Sequence, residues 1–240
     1  MVALMAAVIA ILIVVKMQPV TKHLEIQSDR NALSHLLHTV AKRNYRIGFL
    51  TTALLSLGGF MMMPFGSAFA INNLRITNTQ LPMLFMVSGV SSLFIMPLIG
   101  KFSDKIDKFK LFTIASVWMA AVVLIYTNIS VTPLWLVMIL NVLMMMGIMS
   151  RMIPSSALVT SIPDMQDRGA FMSVNSSLQQ IAGGIAAAFA GLIVVQKDKF
   201  SPLQHYNMLG FVMIGISVIS VIMLYRVSAM VKKKLAEKVL

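Results

Sequence analysis

Chemistry near neutral pH needs nucleophiles, titratable groups or metal ligands held at workable spacing, and this chain keeps such groups out of its apolar runs. Its carboxylates are Glu25, Asp29, Asp104, Asp107, Asp164, Asp167, Asp198 and Glu237, and its histidines are His23, His35, His38 and His205. All lie in or beside hydrophilic connections. There is no cysteine, which excludes disulfides, thiolate metal sites and cysteine nucleophiles. No Gly-x-Ser-x-Gly, His-Glu-x-x-His or phosphate-loop pattern occurs. No catalytic residue, metal site or bound cofactor is expected, and the chain reads as a non-enzyme.

The polar residues that do fall inside apolar runs are few. Arg151 follows an apolar run that starts near Leu134 and is interrupted by Asn141. An arginine at the centre of a bilayer costs about 2.5–3.5 kcal/mol on insertion scales, so it should face protein or water. At about 1.5 Å per residue from Pro133 it lies roughly 27 Å in, near the far boundary. Two readings stay open: contact with a solute or proton relay, or snorkelling to the interface or pairing with Asp164. A second polar set opens the run at 170–195. There Asn175, Gln179, Gly183, Ala187 and Gly191 recur every four residues, and Ser176, Gln180, Gly184 and Ala188 form the neighbouring stripe. Small residues at this spacing admit another helix closely, and the amides can hydrogen-bond across it or line a water-filled path.

The elements that must position these residues are membrane helices. The chain has 240 residues, 58% of them hydrophobic and 12% charged, with a mean hydropathy of +0.85. Soluble domains usually carry about 25% charged residues. A helix needs roughly 20 apolar residues to cross about 30 Å of hydrocarbon. Runs near 1–16, 47–71, 81–100, 110–127, 133–153, 170–195 and 205–225 meet that need, so about seven transmembrane helices are expected. Each run is apolar all round, and the lengths exclude barrel strands. Residues 1–15 lack the basic start and small-residue cleavage site of a signal peptide.

Lysine and arginine set the orientation. Only Arg75, Lys197 and Lys199 fall on one side of this arrangement, and the other basic residues fall on the opposite side. That places the first loop and the C-terminus in the cytoplasm. The net charge of +12 is therefore a topology signal, and nucleic acid is not an expected partner. The expected organisation is a helix at 1–16, a basic cytoplasmic linker at 17–46, a six-helix bundle at 47–226 and a basic cytoplasmic tail at 227–240. Within the linker, Leu33, Leu36, Leu37 and Val40 share one helical face, with Ser28 or Asp29 as start signal. This reads as an amphipathic helix on the inner leaflet. The same orientation puts Met1 outside, so a longer chain with earlier spans is expected. The run at 47–71 is broken by Gly58-Gly59 and by Pro64-Phe65-Gly66, which permits bending; Gly58, Gly59 and Pro64 are the hinge candidates.

The stretch Gly100-Lys101-Phe102-Ser103-Asp104-Lys105-Ile106-Asp107-Lys108-Phe109-Lys110 reads as a tight charged link between two spans. It resembles the Gly-x-Leu-Ala-Asp-Arg-x-Gly-Arg-Lys loop of the major facilitator superfamily. Gly100, Asp104, Lys105 and Lys108 match in place or in charge. Asp107 stands where the family has glycine and Phe109 where it has a basic residue. A second resemblance runs through Gly147, Pro154, Pro163, Arg168-Gly169, Gly183-Gly184 and Gly191, similar to spans ten and eleven of the superfamily's efflux permeases. Together they make the chain similar to span six plus the C-terminal half.

The resemblance implies an all-α, polytopic half-bundle that transports a small solute, with drug- or sugar-like cargo moved outward or by antiport, through alternating access against an N-terminal half. It implies a gating loop at Gly100, Asp104, Lys105 and Lys108 whose partner lies in the missing half. It implies an interface between halves at Arg168, Gly169, Gly183, Gly184 and Gly191; a cap at the start of that helix is the plainer reading of the acidic residues before Arg168. Asn141, Arg151, Asn175, Gln179 and Gln180 are the pathway candidates. If transport is proton-driven, the carrier group belongs to the missing half. Expected partners are the lipid bilayer of the plasma or inner membrane, the missing half and the solute. A self-pairing half-size module and a non-transporting scaffold or receptor are the alternatives.

Overall fold

The computed structural model describes residues 32–237; the candidate span at 1–16 and the Ser28 or Asp29 start signal lie outside them. Contacts divide the chain into residues 1–35 and 36–240, and the packing below is that of the second unit. The elements are α1 (Ala32–Ala41), α2 (Arg43–Phe60), a 3-10 turn (Met63–Phe65), α3 (Gly66–Asn72), α4 (Leu81–Lys105), α5 (Lys108–Asn128), α6 (Leu134–Thr160), α7 (Arg168–Ile193) and α8 (Tyr206–Glu237). Taking α2 through α3 as one broken span, six helices among the described residues are long and apolar enough to cross a membrane. The fold is the all-α, multi-span bundle read from the sequence.

Packing pairs α5 with α6 and α8, α2 with α7 and α8, and α4 with α6. Many large apolar side chains face outward, as expected of helices surrounded by lipid. On α4, Leu93 and Phe94 are 71% and 73% exposed. Two buried clusters fill the bundle. One gathers Met61, Phe69, Val123, Tyr126, Leu209 and Met213, where Phe69 stacks on Tyr206 at 4.1 Å. The other gathers Phe49, Phe112, Leu158, Phe171, Leu224 and Val227. Close helix approach depends on glycine at two crossings. A Cβ on Gly210 would sit 2.8 Å from Thr127 Oγ1, and one on Gly147 would sit 2.9 Å from Met119 Sδ.

Several boundaries differ from the sequence reading, each for a visible reason. The helix expected to end near 225 continues to Glu237, because Val227 and Val231 are buried and its lysines find carboxylates. The basic stretch from 227 is thus helical and packed as far as Glu237. The stretch from Gly100 to Lys105 is still helix, so the link between spans shrinks to Ile106 and Asp107. A helix does form in the linker, with Leu37 and Val40 exposed; Lys42, in an extended conformation, separates it from α2. The break at 61–65 appears where Gly58-Gly59 and Pro64 pointed.

Candidate functional site

One end of the bundle is held by ion pairs between segments far apart in sequence. Asp107 caps α5: its carboxylate accepts from Phe109 N–H at 3.0 Å and Lys110 N–H at 3.1 Å. This satisfies two of the free N–H groups that begin a helix. Lys232 of α8 lies 2.7 Å from the same carboxylate. Asp164, between α6 and α7, pairs with Lys234 at 2.7 Å, and Lys234 also donates to the Ile162 carbonyl at 2.8 Å. Asp167 is buried; it receives the Lys42 ammonium and the Tyr45 hydroxyl at 2.8 Å. Tyr45 in turn accepts from the Asp164 N–H at 3.1 Å. Asp167 occupies the capping position of α7 but its side chain does not cap it. The plainer reading of these acids as a helix cap therefore gives way to cross-linking of α2 and α8. These loops share the end to which the lysine and arginine count assigned them.

Lys232 holds the Asp107 carboxyl below its ordinary value of 3.8, and Lys234 does the same for Asp164. A depressed folded pKa contributes stability above the unfolded value, and that contribution is lost as pH falls through the folded value. Both pairs are partly solvated, so each is worth at most about 1 kcal/mol. Thermal unfolding in detergent should show the wild-type midpoint falling more steeply than that of Asp107→Asn below about pH 4. Parallel curves would show that the pair contributes nothing.

The opposite end is tied by amides. Asn73 Nδ2 donates to the Leu203 carbonyl at 3.0 Å and its Oδ1 accepts from Leu203 N–H at 2.9 Å. Asn72 donates to the Lys199 carbonyl at 3.3 Å. The broken helix is thus anchored at both ends with its break between them. A Cβ on Gly58 would sit 3.4 Å from Ile216 Cγ2, Gly59 has open space where a Cβ would sit, and Pro64 is exposed.

The two stripes of α7 part company. Gly183 faces Phe60 of α2, where a Cβ would sit 3.2 Å from Cδ2, and Asn175 is half-buried with its Oδ1 unpartnered. Gly183 is thus packed against α2 inside this bundle. Ser176, Gln180, Gly184 and Ala188 are exposed, as are Gln179, Arg168, Gly169 and Gly191. Large apolar residues flank this open face: Ile181, Ile185 and Leu192 are all exposed. Asn141 is half-buried and donates to the Val137 carbonyl at 3.0 Å.

Helix α6 runs beyond the expected run of 133–153, through Pro154 to Thr160, leaving Arg151 about 13 Å short of that end. Arg151 is only 9% exposed, so it does not snorkel, and Asp164 is committed to Lys234. Its guanidinium lies 5.3 Å from the centre of the Phe112 ring. Asp104 and Lys105 are exposed and Lys108 and Gly100 are half-exposed. The residue that sequence reading passed over is Asp107, treated as a departure from the loop pattern. Its place directly before Lys108-Phe109-Lys110 and an apolar run is the capping signal that would have found it. Among the described residues no cluster of His, Asp and Glu forms a metal site.

A family model described as Major Facilitator Superfamily matches residues 1–187 and, again, 48–239. No curated protein matches the chain. With matched residues spanning nearly the whole sequence and six membrane-crossing helices in one bundle, this multi-pass membrane protein belongs to the Major Facilitator Superfamily, a family of solute transporters.

Proposed function

We propose that this bundle moves a small drug- or sugar-like solute outward, or by antiport, through alternating access against a second half. The open face of α7 is the observation that carries the reading. Ser176, Gln180, Gly184 and Ala188 make a polar, small-residue strip at membrane depth, which lipid would not stabilise and which suits water or another helix. The charged end supplies a rigid platform for rocking motion, and the break at 61–65 supplies a bend. The C-terminus lies in the cytoplasm under the charge rule. Flux of labelled solutes from a broad drug and sugar panel into proteoliposomes, using the longest native form of the chain, tests it. Absence of flux for every solute contradicts it.

The exposed Asp104 carries the gating part. It sits in the last turn of α4, where a helix dipole disfavours a carboxylate. Nothing in the described bundle compensates it by hydrogen bond or ion pair, so a partner outside the bundle suits it. Asp104→Ala should leave the unfolding midpoint unchanged or slightly raised while lowering the transport rate severalfold. Unchanged flux in that variant would favour a scaffold or receptor instead.

A further inference from the structure

Among the described residues Arg151 is a buried positive charge that no carboxylate neutralises. The Arg151 Nε is buried without a hydrogen-bond partner, and Phe112 covers one face of the guanidinium. No ion pair reaches it: Asp107, Asp164 and Asp167 are joined to Lys232, Lys234 and Lys42. Arg151 lies about 13 Å along α6 from the helix end at Thr160. A buried guanidinium nitrogen without a partner is costly unless an oxyanion completes it, and the planar fork of arginine matches a carboxylate or phosphate with two parallel hydrogen bonds.

Two further buried polar atoms lack partners, Ser56 Oγ on α2 and Asn175 Oδ1 on α7. Measured along their helices from the charged end, they and Arg151 fall within about 10–20 Å. All three are unpartnered polar groups at similar heights on their own helices. We propose that Arg151 is the anchor for an anionic group, a carboxylate or phosphate, on the solute this protein carries. The cargo is then an organic acid or phosphate ester, with the ring of Phe112 packed against the guanidinium. The inference builds on the transport reading and narrows it to a substrate class.

The chain has two tryptophans, and Trp118 sits one helical turn from this point: its Cδ1 lies 3.3 Å from where a Gly147 Cβ would be. In a Trp135→Phe background, reconstituted in phosphatidylcholine nanodiscs, Trp118 fluorescence is titrated with benzoate, phenyl phosphate, benzamide and benzylamine. Saturable response to benzoate or phenyl phosphate, at least about tenfold tighter than to benzamide, is expected, since a hydrogen-bonded charge pair is worth that much. Arg151→Gln should abolish the preference, and Arg151→Lys should keep part of it. Equal binding of all four probes, no response to either anion, or an anion preference that survives Arg151→Gln overturns the proposal. If Arg151→Gln unfolds, the Arg151→Lys titration decides, because a site that needs the fork must weaken there. Flux readings separate the two claims. Anion binding without flux of any solute in proteoliposomes defeats the transport reading alone, whereas flux of neutral solutes unaffected by Arg151→Lys defeats the anion anchor alone.

Discussion

Alanine in place of Phe171 is expected to destabilise the bundle by about 3 kcal/mol, the lower end of the usual cost of emptying a buried aromatic site. Phe171 is fully buried at the start of α7. It stacks on Phe49 at 4.7 Å, meets Tyr45 edge-on at 5.4 Å and lies 3.2 Å from where a Cβ on Gly48 would sit. The transfer component shrinks in a membrane, because acyl chains are as apolar as the core. The lost contacts and the cavity remain. Unfolding in detergent measures the loss, and Phe171→Leu should recover much of it. A loss below about 1 kcal/mol would mean that the aromatic stack does not hold α7 to α2.

Asp167→Ala should have the next largest effect, roughly 2–3 kcal/mol. Removing one partner of a fully buried ion pair costs about 3–5 kcal/mol. The figure is reduced here because the Lys42 side chain is 36% exposed and water recovers part of its solvation. The Tyr45 hydroxyl also loses its acceptor at 2.8 Å. A double-mutant cycle separates the pair from other effects: with Lys42→Met already present, Asp167→Ala should cost at least about 1 kcal/mol less. Additive costs would show that Lys42 and Asp167 are neighbours without coupling.

The spans were legible because their cause is local. An apolar run of bilayer length needs no distant partner to declare itself, and all six runs beyond residue 32 became helices. Helix ends were less legible because their causes are remote. The run Lys232-Lys233-Lys234 looks like a solvated tail, yet it stays helical and docked because Asp107 and Asp164 wait in other loops. The run expected to end at 153 lengthens because a membrane helix tolerates proline, so α6 carries on past Pro154 to Thr160. The spacing of α7 showed two stripes and not which faced inward. Only the position of Phe60 separates Gly183, which is packed, from Gly184, which is open. Asp107 was legible as a cap and was read instead as a mismatch.

The central claim is that the polar strip of α7 borders water and not lipid. Because the chain has no cysteine, single cysteines can be placed without background at Gln180 and Gly184 on the strip and at Ile185 and Leu192 on its apolar flank. With the protein in native membranes, a membrane-impermeant maleimide should label the first two readily and the last two very little. Equal resistance at all four positions would place the strip against lipid or a sealed helix contact and contradict a pathway there.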